Sequence, residues 1–364
     1  MPGDAIFYSL SLLLGVFFIP YALRLKISSA LLFLATLSYI LVSIGSHDRY
    51  LESYISLYLQ LISNISIFSY IYFLIVKNDI EKITKIKNEI STAGIIIFFI
   101  IFIMEIKVGG LVKVDHVNLF GKDVNRNSIH PIVLCFIFTY SALFLILKIR
   151  NNAIKLNNLF FILAIVTMFL SNSRAGQAAS LIIFSFYILS NYSLKKRYLL
   201  LIASLIPLIL SFIFIDFSFL TERLNQSGEN NGLESSRFIM WDCYFLRFEA
   251  SQLILGLHEA GNDQCAYLPR VIGKNPHNSI IWSASVYGFI TLFVVFSLLF
   301  NFIQSIFQKK YLFSLLLLCY IFIMNFERSY IVSPLDVPLL LLIFLPLITK
   351  KVNTTLKYKQ ELTK

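Results

Sequence analysis

Long uninterrupted apolar runs are the feature that most constrains how this chain folds. Runs of about 17 residues or more can cross a bilayer as α-helices, and the sequence contains eleven of them. They lie near residues 5–23, 28–45, 53–76, 91–106, 129–147, 157–172, 177–192, 198–216, 278–302, 311–326 and 332–349. Because the runs are continuous and do not alternate apolar with polar residues, helices are favoured over barrel strands. The sequence therefore predicts an all-α polytopic integral membrane protein with about 11–12 transmembrane helices.

Basic residues divide the segments between spans into two alternating sets. One set, together with the C-terminal tail, holds 16 of the 20 lysines but only 3 of the 11 arginines. Since basic residues concentrate in short cytoplasmic loops, this set predicts the cytoplasmic side, with the C-terminus inside and the N-terminus outside. Membrane topology thereby explains the formal net charge of +11, and no nucleic-acid partner is expected.

The opposite set of segments is poor in lysine and rich in arginine. It holds 8 of the 11 arginines and 16 of the 20 acidic residues. Topology gives no reason for arginine on this side, whereas a guanidinium can bind phosphate through two parallel hydrogen bonds and an ammonium cannot. We therefore expect some of the outer arginines to bind a phosphate-containing ligand.

One long polar segment, residues 217–277, divides the chain. Residues 1–216 hold the first eight predicted spans, 278–349 hold the last three, and 350–364 form a cytoplasmic tail. A loop of this length usually carries function, and apolar periodicity over 235–255 predicts that part of it is helical. We expect a periplasmic cap that rests on the membrane, with all parts acting as one functional unit.

Two of the four cysteines, Cys243 and Cys265, fall in this loop. If the loop is periplasmic they could form a disulfide, although spacing alone does not show that they meet. Cys135 and Cys319 fall inside spans and are predicted to be packing residues. No spacing of cysteine and histidine resembles a metal site, so no bound metal is expected.

Arg174 is the first candidate for a ligand-binding residue. It lies between the apolar runs 157–172 and 177–192, in the short sequence Asn-Ser-Arg-Ala-Gly. An arginine at the end of a tight helical pair costs several kcal/mol unless it is paired. The alternative is an arginine that extends to the lipid headgroups, a role that lysine would fill equally well.

Arg237 is the second candidate. Ser235 or Ser236 can cap a helix whose apolar face would be formed by Phe238, Trp241 and Phe245. Arg237 would then lie in the first turn, where backbone N–H groups and the helix dipole favour an anion. Since an arginine gains nothing from the dipole there, its position suggests a ligand; the alternative is a solvated surface residue.

His277 stands at the outer entrance of a predicted span. Pro276 fixes the approach of the chain, and Asn278 and Ser279 begin the helix. A neutral imidazole near the membrane surface can take a proton from a sugar hydroxyl. The alternative is a histidine that caps or packs against the helix.

The outer turn between the last two predicted spans also carries polar residues. Glu327 and Arg328 are adjacent and can neutralise each other, and Tyr330 follows them. Asp336 begins the final span, where a carboxylate is costly, and we expect it to pair with one of the arginines.

The chain from His277 onward resembles the signature of bacterial O-antigen ligases. That signature is His-[Asn/Ser/Gln]-x9-Gly-x2-[Gly/Thr/Tyr]. His277 and Asn278 are followed after nine residues by Gly288, and after two more by Thr291.

Two upstream arginines resemble other elements of the same family. Arg174 resembles its arginine at an outer helix turn, and Arg237 with Trp241 resembles its Arg-x3-Leu element, with Trp in place of Leu. The order of these elements agrees from about residue 125 to the end.

The resemblance implies a GT-C-like, inverting, metal-independent glycosyltransferase without a cofactor. Its donor would be a glycan on undecaprenyl diphosphate and its acceptor lipid A–core oligosaccharide, at the periplasmic face of the bacterial inner membrane, in lipopolysaccharide biosynthesis. His277 would act as general base while Arg174 and Arg237 hold the diphosphate. The residues expected to bind substrate are Arg223, Asn278, Glu327, Arg328 and Tyr330.

Two other functions fit part of the same pattern. An O-antigen polymerase shares the His–Gly signature loosely and would transfer a growing chain to a lipid-linked repeat unit. A flippase or transporter of lipid-linked sugars predicts charges at mid-membrane and internal repeats, and the sequence shows neither. The signature favours the ligase.

Overall fold

The computed structural model shows a helical membrane-protein fold. It describes residues 13, 15–45, 51–107, 116–119, 122–150, 154–170, 174–191, 236–247, 254–256, 265, 278–326 and 336–362. The helices in these residues are α1 Gly15–Arg24, α2 Lys26–Gly45, α3 Leu51–Lys77, α4 Ile80–Lys107, α5 Arg126–Arg150, α6 Asn158–Leu170, α7 Arg174–Asn191, α8 Ser236–Arg247, α9 Ser279–Tyr287, α10 Phe289–Phe307, α11 Tyr311–Phe326 and α12 Val337–Leu362.

Several of these helices can cross a membrane. Within the described residues, segments of α3, α4, α5 and α10 are long and apolar enough, and α1 and α2 form a further candidate that bends by 116° at their junction. Shorter apolar segments occur in α6, α7, α11 and α12. The all-α polytopic fold is thereby confirmed. The span predicted at 198–216 and the beginning of the one at 5–23 lie outside the described residues.

A short hairpin between α4 and α5 is an addition that the sequence analysis missed. Strand β1, His116–Leu119, pairs with β2, Lys122–Asn125, in antiparallel register, with His116 opposite Asn125 and Leu119 opposite Lys122. Four-residue strands are too short to give a clear period-two pattern. The hairpin lies next to the adjoining ends of α4 and α5.

Several predicted spans have different limits in the structure, and the last one, predicted to end at residue 349, continues as α12 to Leu362. The run at 278–302 is not one helix, because Gly288 takes φ 56° and separates α9 from α10. Helix α4 begins at Ile80, well before residue 91, because Asn78 turns the chain with φ 62° and Asp79 accepts the Lys82 N–H at 3.1 Å. That hydrogen bond lowers the pKa of the Asp79 carboxyl.

Aromatic rings and small polar groups hold the centre of the bundle together. The rings of Tyr140 and Phe160 lie 4.8 Å apart, and both are buried. The Tyr140 hydroxyl accepts the backbone N–H of Asn157, whose side-chain amide donates to Ser91, each at 3.0 Å. Because packing and interhelical hydrogen bonds drive helix association in lipid, this cluster fixes α4, α5 and α6 relative to one another.

The lysine-rich segments meet at one end of the bundle. Lys148 belongs to one predicted cytoplasmic segment and Lys309 and Lys310 to another, yet the three line one groove. Lys148 donates from Nζ to the carbonyl oxygen of Ser190 at 3.0 Å, so α7 ends there as well. Arg174, at the start of α7, therefore lies toward the opposite end. This grouping agrees with the sidedness that the lysines predict.

Helix α8 of the cap packs on α9. Met240 and Tyr244 are one turn apart on α8, and both are buried in a cluster that includes Ile281 of α9. Trp241 packs against the same cluster. Residues four apart lie on one face of a helix, so this face attaches the cap to the membrane helices.

The prediction of the apolar face of α8 was wrong for one of its residues, Phe245. Phe245 is 62% exposed and does not belong to the packed face. Each residue turns an α-helix by about 100°, so Phe245 points about 140° away from Met240. The side chain of Phe238 lies outside those the structure describes.

A disulfide joins Cys243 of α8 to Cys265, which confirms the pairing that the sequence left open. Cys265 is buried. Arg247 lies beside the bond, with its Nη1 3.8 Å from the Cys265 sulfur. Because Arg247 also occupies the last turn of α8, where the helix dipole favours a cation, its position has a structural reason.

Replacement of Cys243 and Cys265 by serine is expected to destabilise the cap by about 3 kcal/mol, because the bond restricts the unfolded loop. The measurement is limited proteolysis of the purified protein, with cleavage mapped within residues 217–277. Cys135→Ser removes a thiol that is not in a disulfide and serves as control. Equal cleavage rates for the double variant and the control would contradict the prediction.

Candidate active site

Three predicted site residues lie within the described helices or at their caps, each at an N-terminal end. Arg174 is the first residue of α7, Arg237 is the second of α8, and Asn278 is the N-cap of α9. Helix N-termini present backbone N–H groups and the positive end of the dipole to an anion. For Arg174 and Arg237 the structure describes the backbone position only. Outside the described residues lie Arg223, His277, Glu327, Arg328 and Tyr330.

Helix α9 accounts for the spacing of the His-Asn-x9-Gly signature. Its nine residues, Ser279–Tyr287, are the nine that separate Asn278 from Gly288. Asn278 is buried, and its Oδ1 accepts the N–H groups of the second and third helix residues at 2.9 and 3.0 Å. The signature thus marks both ends of one short helix, and His277 directly precedes its cap.

The helix ends at Gly288 because the cap backbone packs against it. A Cβ atom at Gly288 would overlap the carbonyl oxygen of Ile254. The contact is mutual, since a Cβ at Gly256 (φ 78°) would lie 2.8 Å from the carbonyl oxygen of Ser285. At both positions the positive φ and the lack of space favour glycine. We call this packing of Ile254 and Gly256 on Ser285 and Gly288 the glycine contact.

Helices α2 and α3 contact the last residue of α9, Tyr287, directly before the interruption of the helix at Gly288. Ser38 of α2 donates from Oγ to the carbonyl oxygen of Tyr287 at 2.9 Å and lies 2.5 Å from the Tyr58 hydroxyl of α3. The Tyr58 and Tyr287 rings meet edge to face at 5.4 Å. A buried carbonyl without a partner costs about 1–3 kcal/mol, so Ser38 replaces a bond that the broken helix cannot make.

The helices that carry the candidate residues are connected through a chain of packing contacts. Helix α8, with Arg237, packs on Ile281, three residues after Asn278. Helix α7, with Arg174, packs along α11, where the Cys319 sulfur lies 4.0 Å from the Ala179 carbonyl oxygen. Helix α9 also packs against α11. Helix α11 thereby contacts both α7 and α9, and α9 in turn contacts α8.

Asp336 at the start of α12 is a further buried polar residue of this region. Its Oδ1 accepts the backbone N–H of Leu339 at 2.8 Å, and the Tyr320 hydroxyl of α11 lies 3.4 Å from both carboxylate oxygens. Asp336 thus caps α12 and ties it to α11. The predicted arginine partner stays a prediction, since Arg328 lies outside the described residues.

Sequence reasoning missed two groups that shape the site. One is the glycine contact, for which Gly256 gave a signal, because it interrupts the apolar stretch Leu-Ile-Leu-Gly-Leu. The other is Ser38. A serine in an apolar run gives no signal, because its hydroxyl can equally bond to its own helix.

Comparison with known families gives a match over the segment that contains the starts of α7, α8 and α9. A family model described as O-antigen ligase matches residues 159–296, from α6 into α10. This segment of the chain is similar to the O-antigen ligase family, in line with the resemblance to the O-antigen ligase and polymerase superfamily. No curated protein and no solved structure matches the chain.

Asn278→Ala is expected to reduce stability by about 1 kcal/mol, because the N-cap acceptor is lost. Asn278→Asp keeps that acceptor and should restore the thermal unfolding temperature. We expect its glycan-transfer activity to stay low, because a carboxylate lacks the amide hydrogens that the predicted substrate contact needs. If the aspartate variant recovered both stability and activity, Asn278 would act as a cap alone.

Gly288→Ala is expected to lower transfer about 100-fold, because an added Cβ displaces the cap from the start of α9 and small displacements of reacting groups are costly. Gly256→Ala should act in the same direction. The control is Ser285→Ala, which removes a hydroxyl bonded only within α9, to the Trp282 carbonyl oxygen at 2.7 Å, and leaves the backbone contact intact. Transfer by Gly288→Ala at the rate of the control would contradict a positioning role for the contact.

Proposed function

We propose that the protein is an O-antigen ligase that transfers a glycan from undecaprenyl diphosphate to lipid A–core oligosaccharide. Two observations support the proposal: residues 159–296 match the O-antigen ligase family model, and the His-Asn-x9-Gly pattern coincides with one capped helix, α9. The first residues of α7 and α8 supply arginines in the order that the family pattern requires.

The leaving group of this reaction is a lipid diphosphate. Negative charge grows on it as the glycosidic bond breaks, and fixed guanidinium groups in a site of low dielectric constant stabilise that charge. Arg174 and Arg237 bind the diphosphate, and Arg223 or Arg328 assists. Since the arginines supply the positive charge, the reaction proceeds without a metal ion or cofactor.

His277 acts as the general base on the acceptor hydroxyl. The imidazole takes the proton as the sugar oxygen attacks the anomeric carbon, the bond to the diphosphate breaks, and the configuration inverts. Asn278, the next residue in the chain, caps the first turn of α9. The side-chain amide of Asn278 and the outer turn with Glu327 and Tyr330 contribute substrate contacts.

The reaction takes place at the periplasmic face of the inner membrane. The lysine-lined end of the bundle fits the cytoplasmic side, and the candidate helix N-termini lie toward the other end. A disulfide in the cap is typical of a compartment that permits oxidation of thiols.

Deletion of the gene in its own bacterium tests this function through the lipopolysaccharide banding pattern. Loss of a ligase gives bare core and accumulated long lipid-linked polymer. Core with a single repeat would identify an O-antigen polymerase, a function that the match to the family model fits equally well. Accumulation of cytoplasm-facing lipid-linked units would identify a flippase, and either of these results would overturn the proposal.

Complementation of the deletion strain tests the mechanism. His277→Ala is expected to abolish transfer while the donor still binds, because only the base is removed. Arg174→Lys should also fail, since lysine keeps the charge but not the planar pair of donors. Full-length bands with His277→Ala, at wild-type protein levels, would exclude a role of His277 as base.

A further inference from the structure

A groove between α10 and α12 runs along α10 from Phe293 to the lysine-rich end of the bundle. Its volume is about 800 Å³, within the usual range of ligand pockets. Apolar residues of both helices, including Phe293, Phe300 and Leu347, line its length. Lys310 and Lys350 line its end, with the amides of Gln304 and Gln308 nearby.

A proline inside α12 borders this groove. Pro346 lies inside α12, where it cannot donate a backbone hydrogen bond to the preceding turn. The buried side-chain amide of Asn301 in α10 donates to the carbonyl oxygen of Ile343 at 2.7 Å, in that same turn. The two helices are thereby linked at one point, while the groove beside this link is lined by both.

A second groove, of about 490 Å³, lies on the other side of Pro346. It shares Lys310 and Thr349 with the first and adds Lys148 and Lys309. Four lysines from α5, the α10–α11 turn and α12 thus surround the two adjoining grooves.

Acidic residues are missing from the sequence around these lysines. None occurs in residues 264–326 or 337–360, which include the whole of α10 and α11 and nearly all of α12. A cluster of lysines between transmembrane helices attracts anionic lipid headgroups. The charge of this end is therefore complementary to a phosphate.

The dimensions match one lipid leaflet. Phe293 and Gln308 bound the groove along α10 and are separated by about 22 Å of helix rise. Half of a bilayer is about 15 Å thick across its hydrocarbon core and about 20–22 Å with the headgroup region included. Phe300 and Leu347, on the groove walls, are 65% and 54% exposed, so the groove opens toward the membrane and can accept an acyl chain from the side.

We propose that this groove binds an anionic two-chain phospholipid of the cytoplasmic leaflet, with its phosphate between Lys310 and Lys350 and an acyl chain along Phe293 and Phe300. The glycan donor is a poorer fit, because its diphosphate belongs at the opposite end of the bundle, with the arginines. Since the bound lipid holds α10 against α12, the site joins the protein to its membrane independently of the transfer reaction.

Native mass spectrometry of the full-length protein, reconstituted in phosphatidylcholine nanodiscs with a minor share of phosphatidylglycerol, tests the proposal. Wild type should retain phosphatidylglycerol. Lys310→Gln with Lys350→Gln should weaken retention about tenfold or more, since each lysine contributes to attraction of the anion. Ser297→Phe fills the groove without a change of charge and should also lose the lipid.

The matched control is Lys82→Gln with Lys85→Gln. It removes two charges from lysines that are 62% and 76% exposed on α4, in a predicted cytoplasmic segment and outside both grooves. Retention by this control, with loss in the two groove variants, supports the site. Equal loss in the control would indicate diffuse surface attraction, and displacement of the lipid by inorganic phosphate would indicate a free-anion site; either result would overturn the proposal.

Discussion

The structure depends on one constraint, that backbone polar groups inside a membrane must find partners within the protein. Helix α9 is only nine residues long and ends in the middle of an apolar stretch, so both of its ends need such partners. The Asn278 side chain supplies acceptors at one end, and Ser38 supplies a donor at the other. A short helix of this kind can end within the bundle because neighbouring elements complete its hydrogen bonds.

Polar helix ends also organise the rest of the candidate site. Asp336 caps α12 and Asn278 caps α9, while α7 and α8 begin close to the two arginines that the family pattern singles out. At the opposite end of the bundle the chemistry is different, since lysines on flexible stems line open apolar grooves. A guanidinium group binds a phosphate through two parallel hydrogen bonds, whereas an ammonium group attracts it as a point charge. The two ends therefore differ in the kind of positive charge that the sequence places there.

The sequence predicted the fold class because long apolar runs have few stable conformations in lipid. It also placed a helix start at Asn278 and Ser279, because a proline followed by a capping residue is a local signal. It did not predict the break at Gly288, because one glycine in an apolar run is compatible with a continuous helix. The decisive contacts come from Ile254 and Ser38, which are distant in the chain, and the buried face of α8 was decided by packing on Ile281. Local periodicity carries no information about such partners.

The glycine contact has a consequence for how the cap can vary. It joins loop and membrane helix through backbone atoms, so it does not depend on which side chains the rest of the loop presents. Replacement of the exposed side chains of Phe245 and Leu246 leaves this docking point in place, whereas a shift of one residue within 254–256 would move Gly256 out of register with Ser285. Exposed side chains of α8 can thus change while residues 254–256 keep their alignment with Ser285 and Gly288.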